Sequence, residues 1–384
     1  MYFCRMQSSA EFFAEFPPIP KTAWMERIAK DLKDKSLDDL YWRIGDGLLA
    51  DPFAHADDFP AGLPAPGASA VAWELCETVD TTEPFAANLQ VLEALQFGSE
   101  GLQFEVPVLD GSALKQVLAG VHLNYIGLHF STPNWSAVPP AAVLALLDGL
   151  AKDQGLSGTD LRGSLAYSPV ATHRLQDWHY LADLIRYVQE QFPHFQVIQV
   201  KAGAAESVVD DLAALLSQGN IYLTQLQNQG IAPADTAGQL QFEIPVGVSY
   251  FLEIAKLRAL KLLWMNVLKG WGLPATAPYV NVRFRPEAYT DDLNTNMIRA
   301  TTMAMSGVLG GAGRLTVLPY DAGREDKSAY PQVFARRIAR NVQHLLKIEC
   351  GFDQMPDPTA GSYYIEKLTR QIAAAAWRRF QEIC

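Results

Sequence analysis

Val71-Ala72-Trp73-Glu74-Leu75-Cys76-Glu77 is the first of a series of short apolar runs, and it contains no glycine. That absence decides between two folds. From Ala70 onward such runs alternate with helical patterns, the signature of parallel βα units. A doubly wound open sheet would follow its first strand with a glycine-rich loop, because only glycine lets the backbone approach a phosphate closely. Strands are expected at 71–75, 102–106, 125–130, 163–166, 196–200, 240–245, 279–284 and 315–318. The clearest helices are expected at 82–97, 137–151, 175–191, 207–226, 250–268, 292–309 and 332–349. Strands followed almost every time by a helix predict closure. The fold class is therefore α/β, a (β/α)8 TIM barrel over 70–367, with an extended N-terminal arm over 1–69.

The arm lacks a core of its own. Phe12, Phe13 and Phe16 precede Pro17-Pro18-Ile19-Pro20, which proline holds extended. Thr22 offers an N-cap for a helix whose Trp24, Ile28 and Leu32 form one apolar stripe. That much aromatic surface must bury against something. The sequence leaves this chain's own barrel and a partner equally open, with Phe12, Phe13, Phe16 and Trp24 as the interface candidates.

Bulk composition narrows the function classes. The 384 residues carry 31 Lys plus Arg against 42 Asp plus Glu, a net charge of −11. Such a surface repels nucleic acid and anionic membranes. No apolar run reaches the ~18 residues of a membrane span. The N-terminus lacks the features of a secretory signal. Cys4, Cys76, Cys350 and Cys384 are scattered without a CxxC. Free thiols in a reducing compartment, and hence a cytoplasmic protein, are expected. The seven histidines form no zincin pair, so no metal site is expected.

Two motifs invite a functional reading and lose it. Gly307 to Gly313 is glycine-rich, but it follows a helix and enters a strand, so it reads as a helix C-cap and turn. Asp177-Trp178-His179-Tyr180-Leu181-Ala182 approaches DxHxxG, the pattern that brings a histidine to cobalt, but it lies in a helical run and ends in alanine. Barrel chemistry sits at the C-terminal ends of the strands. Polar residues expected there are Glu77, His129, Lys201, Glu243, Arg283 and Arg285, a set able in principle to handle an anionic substrate.

Four segments carry a resemblance: the arm from Trp24 to Arg43; Tyr250-Phe251-Leu252-Glu253-Ile254-Ala255-Lys256-Leu257-Arg258; Asn294 to Gly311; and Phe334 to Thr369, with Asp357-Pro358 and Ala360-Gly361-Ser362-Tyr363-Tyr364. They resemble the substrate barrel of the cobalamin-dependent acyl-CoA mutases, the methylmalonyl-CoA mutase family, and most of all its small, non-catalytic subunit. The departures matter as much. Active barrels carry Arg-Gln-Tyr-Ala-Gly at the first strand, where this chain has Trp73-Glu74-Leu75-Cys76-Glu77. A Gln-Asn-Asp-Ile-Leu-Lys-Glu run is replaced by Ser164-Leu165-Ala166-Tyr167-Ser168. Ser-Gly-Tyr-His becomes Val200-Lys201-Ala202-Gly203, and Gln-Thr-Ser-Gly becomes Arg283-Phe284-Arg285-Pro286. The resemblance thus implies a barrel kept for assembly, with no catalytic, cofactor-binding or metal residues of its own. Adenosylcobalamin would be bound by a homologous large subunit, which would interconvert methylmalonyl-CoA and succinyl-CoA. Residues 368–384 would form a helix leading toward a cobalamin-type domain.

Overall fold

The computed structural model describes residues 17–33, 35–45, 47–62, 72–108, 110–169, 175–201 and 207–383. Its centre is a parallel sheet of β3 (Glu74–Asp80), β4 (Gly101–Glu105), β5 (Gly127–Ser131), β6 (Arg162–Leu165), β7 (His194–Gln196), β8 (Ile198–Lys201), β9 (Leu240–Val246), β10 (Tyr279–Phe284) and β11 (Arg314–Thr316). A small antiparallel pair in the arm, β1 (Trp42–Gly45) and β2 (Leu48–Ala50), stands apart from it.

The order β7-β6-β5-β4-β3-β11-β10-β9-β8 begins and ends on two pieces of one strand. β7 pairs with β6, β8 pairs with β9, and only Val197 lies between them. At that break the Val197 N–H turns to the Gln239 side chain at 3.2 Å. Beyond it, the Gln199 N–H crosses the seam to the Tyr167 carbonyl at 2.9 Å. The sheet is therefore a closed eight-stranded barrel whose fifth strand is interrupted, as the alternating pattern predicts.

Strand periodicity sorts the side chains. Leu128 and Phe130, Phe242 and Ile244, and Val280 and Val282 are all buried and alternate with Gly127, His129, Gln241, Glu243, Asn281 and Arg283. The apolar set packs outward on the helices; Phe242 meets Trp264 edge-on at 4.9 Å between ring centres. The polar set faces the axis. Most TIM barrels fill the axis with branched aliphatics; this one fills it with hydrogen-bonding groups.

The helices follow the expected positions with shifted ends. Pro84–Gln96 and Pro140–Asp153 start at proline, which suits the first helical turn. The last helix, Tyr363–Ile383, begins five residues before the expected start at Leu368. It lies across helices Val208–Asn228 and Tyr250–Gly270, burying Ile365, Leu368, Ile372, Ala376 and Phe380. The glycine-rich 307–313 run is a helix end and turn: helix Leu293–Leu309 stops at Gly310, and Gly311 takes φ +85°.

Part of the arm is seated on this chain itself. Lys21 and Lys367 share Asp51 and Asp58 at 2.7–3.2 Å, tying the arm to the last helix. Phe59 is buried against Tyr363. Helix Lys21–Leu32 is capped at Pro20 rather than Thr22 and buries no residue fully. Trp24 stays 50% exposed beside His55, while Phe12, Phe13 and Phe16 lie outside the described residues.

Candidate functional site

The mouth brings together three of the expected residues. Glu243, at 6% exposure, sits at the centre. Its carboxylate accepts from Gln199 at 2.7 Å and from Asn281 at 3.3 Å. Lys201 stands 3.4 Å away and Arg283 3.9 Å away. Arg283 also reaches Glu105 at 3.5 Å. Register explains the grouping: Lys201 and Asn281 both flank Glu243 across the ladders.

The other three candidates lie elsewhere. Arg285 turns away to Asp211 on helix Val208–Asn228, at 3.1 Å. Glu77 points outward, because it occupies the opposite face of β3 from Glu74, and binds Arg340 at 2.9 and 3.1 Å. His129 does not sit at the mouth at all. It is buried inside the barrel, with Nδ1 2.8 Å from Ser164 Oγ and Nε2 2.8 Å from Glu74, a residue at the N-terminal end of β3. β5 reaches the mouth only at Ser131, two residues further on.

The group that sequence reasoning missed is Arg314. It is 1% exposed, and its guanidinium lies on the axis. Nε donates to Asn281 at 3.1 Å, Nη1 to Ser164 at 3.1 Å and to His129 Nδ1, and Nη2 to Gln241 at 3.3 Å. Glu74, His129, Arg314, Asn281 and Glu243 thus form one connected chain from the base to the mouth. Strand alternation held the signal, since Arg314 and Thr316 flank the outward Leu315.

This network fixes the protonation of His129. Burial, reinforced by the Arg314 guanidinium, pushes its pKa down to about 4, although Glu74 pulls the other way. The neutral ring donates from Nε2 to Glu74 and accepts at Nδ1. An unfolded histidine titrates near pH 6.5. Between about pH 6.5 and pH 4 the unfolded chain therefore binds a proton that the folded one refuses, so stability falls as pH falls through that window. The expected loss is about 3 kcal/mol. Urea midpoints at pH 7.5 and pH 4.5 measure it, and His129→Gln should remove most of the difference.

His179 lies within helix Leu175–Gln191, exposed and without the loop that presents a histidine to a corrin. Among the described residues no group of three or more His, Cys, Asp or Glu side chains could hold a metal ion. Among the described residues the donor set does not fit cobalamin, and the mouth cations Lys201 and Arg283 are already opposed by Glu243 and Glu105. Nor is any described helix long and apolar enough to cross a membrane.

Comparison with known proteins places this geometry in context. A family model described as methylmalonyl-CoA mutase matches residues 96–384. A methylmalonyl-CoA mutase small subunit from Porphyromonas gingivalis is 29% identical over 406 residues, covering 97% of this chain and 64% of that protein. A small subunit from Streptomyces virginiae is also 29% identical, covering 96% of this chain and 64% of that protein. A large subunit from the same organism is 28% identical over 72% of this chain and 37% of its own length. The chain thus spans 64% of the length of each of these two small-subunit relatives.

Proposed function

The chain belongs to the methylmalonyl-CoA mutase family, and from that premise we propose that it acts as the small, non-catalytic subunit of a heterodimeric mutase. A homologous large chain would bind adenosylcobalamin and interconvert methylmalonyl-CoA and succinyl-CoA in the cytoplasm. This chain would contribute assembly, through its arm and barrel surface.

The observation that carries the reading is Arg314. A buried guanidinium with every neighbour satisfied occupies the axis where a substrate barrel needs room. The mouth supports it too, because Lys201 and Arg283 both oppose Glu243, which among the described residues is therefore not a free general base. The 29% identical relatives named as small subunits point the same way.

Co-expression with a large-subunit homologue tests the proposal. The two chains are expected to co-purify, with an interface burying more than about 2,000 Å² as obligate partners do. Mutase turnover should survive Lys201→Ala and Arg283→Ala in this chain within twofold. Turnover by this chain with only a separate corrin-carrying module would overturn the reading in favour of a split catalytic barrel. A chain that stays monomeric beside the large homologue would overturn it as well.

A further inference from the structure

The base of the barrel, opposite the mouth, holds a cavity of about 640 Å³ walled by Trp73, Glu74, Arg162, His194, Gln196 and Tyr279. A second cavity of about 330 Å³ adjoins it and shares Gln196 and Tyr279. Its other walls are mostly apolar side chains, including Ala237, Trp264, Leu268, Leu273 and Pro274, with Thr276 among them. The first is lined largely by charged and polar side chains and the second mostly by apolar ones, and cavities of such volume are typical of small-molecule sites.

The polar chamber has unused capacity. Glu74 gives Oε2 to His129, while Oε1 has no hydrogen-bond partner among the described residues. The strand neighbours make room for it: a Cβ at Gly127 would lie 1.9 Å from that oxygen, and one at Gly101 2.7 Å. Arg162 lines the cavity and spends only Nη2, on the carbonyls of Tyr125 and Glu100 at 3.2 and 3.5 Å, its other donors having no partner among the described residues. Lys347 and Glu100 neutralise each other at 2.6 Å and form the wall. One carboxylate oxygen and one guanidinium edge therefore face the same space, with an apolar chamber beside them.

We propose that this base is a binding site, separate from the mouth, for a small zwitterion with an apolar side chain, an α-amino acid of the leucine or phenylalanine type. The ammonium pairs with Glu74, the carboxylate with Arg162, and the side chain enters past Tyr279 into the chamber beside Leu268 and Leu273. Charge-assisted bonds at both ends set the class, because neither an amine nor an acid alone satisfies both groups. The proposal does not depend on the subunit role, since the site lies within this chain.

Calorimetric titration of the full chain with L-leucine, L-phenylalanine, 3-methylbutylamine and 4-methylpentanoate tests it. At least one amino acid is expected to bind saturably and at least tenfold tighter than either one-ended analogue. Arg162→Met, a change at an exposed residue, should bring the amino acid down to the level of the amine. Glu74→Gln should bring it down to the level of the acid; if that variant does not fold, Arg162→Met decides alone. No saturable binding by either amino acid would overturn the proposal, as would equal binding of the analogues or unchanged affinity in Arg162→Met.

Discussion

Arg314→Met is expected to lower the unfolding free energy by about 3–5 kcal/mol, because several buried polar groups lose their donor together and each one left unsatisfied costs about 1–3 kcal/mol. Methionine replaces the apolar stem of the lost side chain, so the packing of the stem is largely kept and the main loss is the guanidinium itself. What remains is electrostatic and polar. Asn281, Ser164 and Gln241 each lose a donor at 3.1–3.3 Å, and His129 loses the proton donor at Nδ1. Glu74, largely buried at the base, loses a nearby positive charge that helps hold its carboxyl below the ordinary range against the upward push of burial. The melting temperature should fall by roughly 5 °C, since a chain of this length shifts by only about one degree per kcal/mol. The variant should also change its pH response. With the guanidinium gone, one of the two main causes of the low His129 pKa disappears, so the stability lost on acidification should shrink. A loss under about 1 kcal/mol would show that the axis repacks without its hub.

The barrel itself was legible because its signal is local. Val280, Val282 and Phe284 alternate with Asn281 and Arg283, and the expected strand 279–284 coincides with β10. The first strand was less legible. It was expected at 71–75 and runs from Glu74 to Asp80, because Glu74, Glu77 and Asp80 interrupt the apolar run. Those acids are tolerated through partners distant in sequence: His129 lies 55 residues from Glu74, and Arg340 lies 263 residues from Glu77. No window of strand length contains that information. The site failed for a related reason. Glu243, Lys201 and Arg283 converge as expected, but His129 enters the axis below the mouth. Arg314 follows Gly313 and so looked like turn rather than strand. The broken fifth strand was also hidden, since Val197 is apolar and only the Gln239 side chain reveals the interruption.

The segments that carry the family resemblance meet in space, and Lys256→Met tests what they are for. Lys256 is 1% exposed and pairs with Glu253 one helical turn away on Tyr250–Gly270. Its ammonium also donates to the Pro245 carbonyl at 2.8 Å, while Glu253 Oε1 accepts the Gly247 N–H at 3.0 Å. The pair thus clamps the end of β9, two residues beyond Glu243. On the same helix, Arg258 binds Asp357 and holds Glu366 at 2.6 Å, joining the last helix to the barrel. Removing the ammonium leaves a buried Glu253 carboxylate whose Oε2 has no hydrogen-bond partner. An uncompensated buried charge costs about 3–5 kcal/mol. Adding Glu253→Gln removes that charge while keeping an acceptor for Gly247, so the double variant should recover more than half of the loss. Chemical denaturation of the two single variants and the double measures this coupling. If the double variant is no more stable than Lys256→Met alone, the cost lies in the missing Pro245 contact, and the ion pair is not what holds the end of β9.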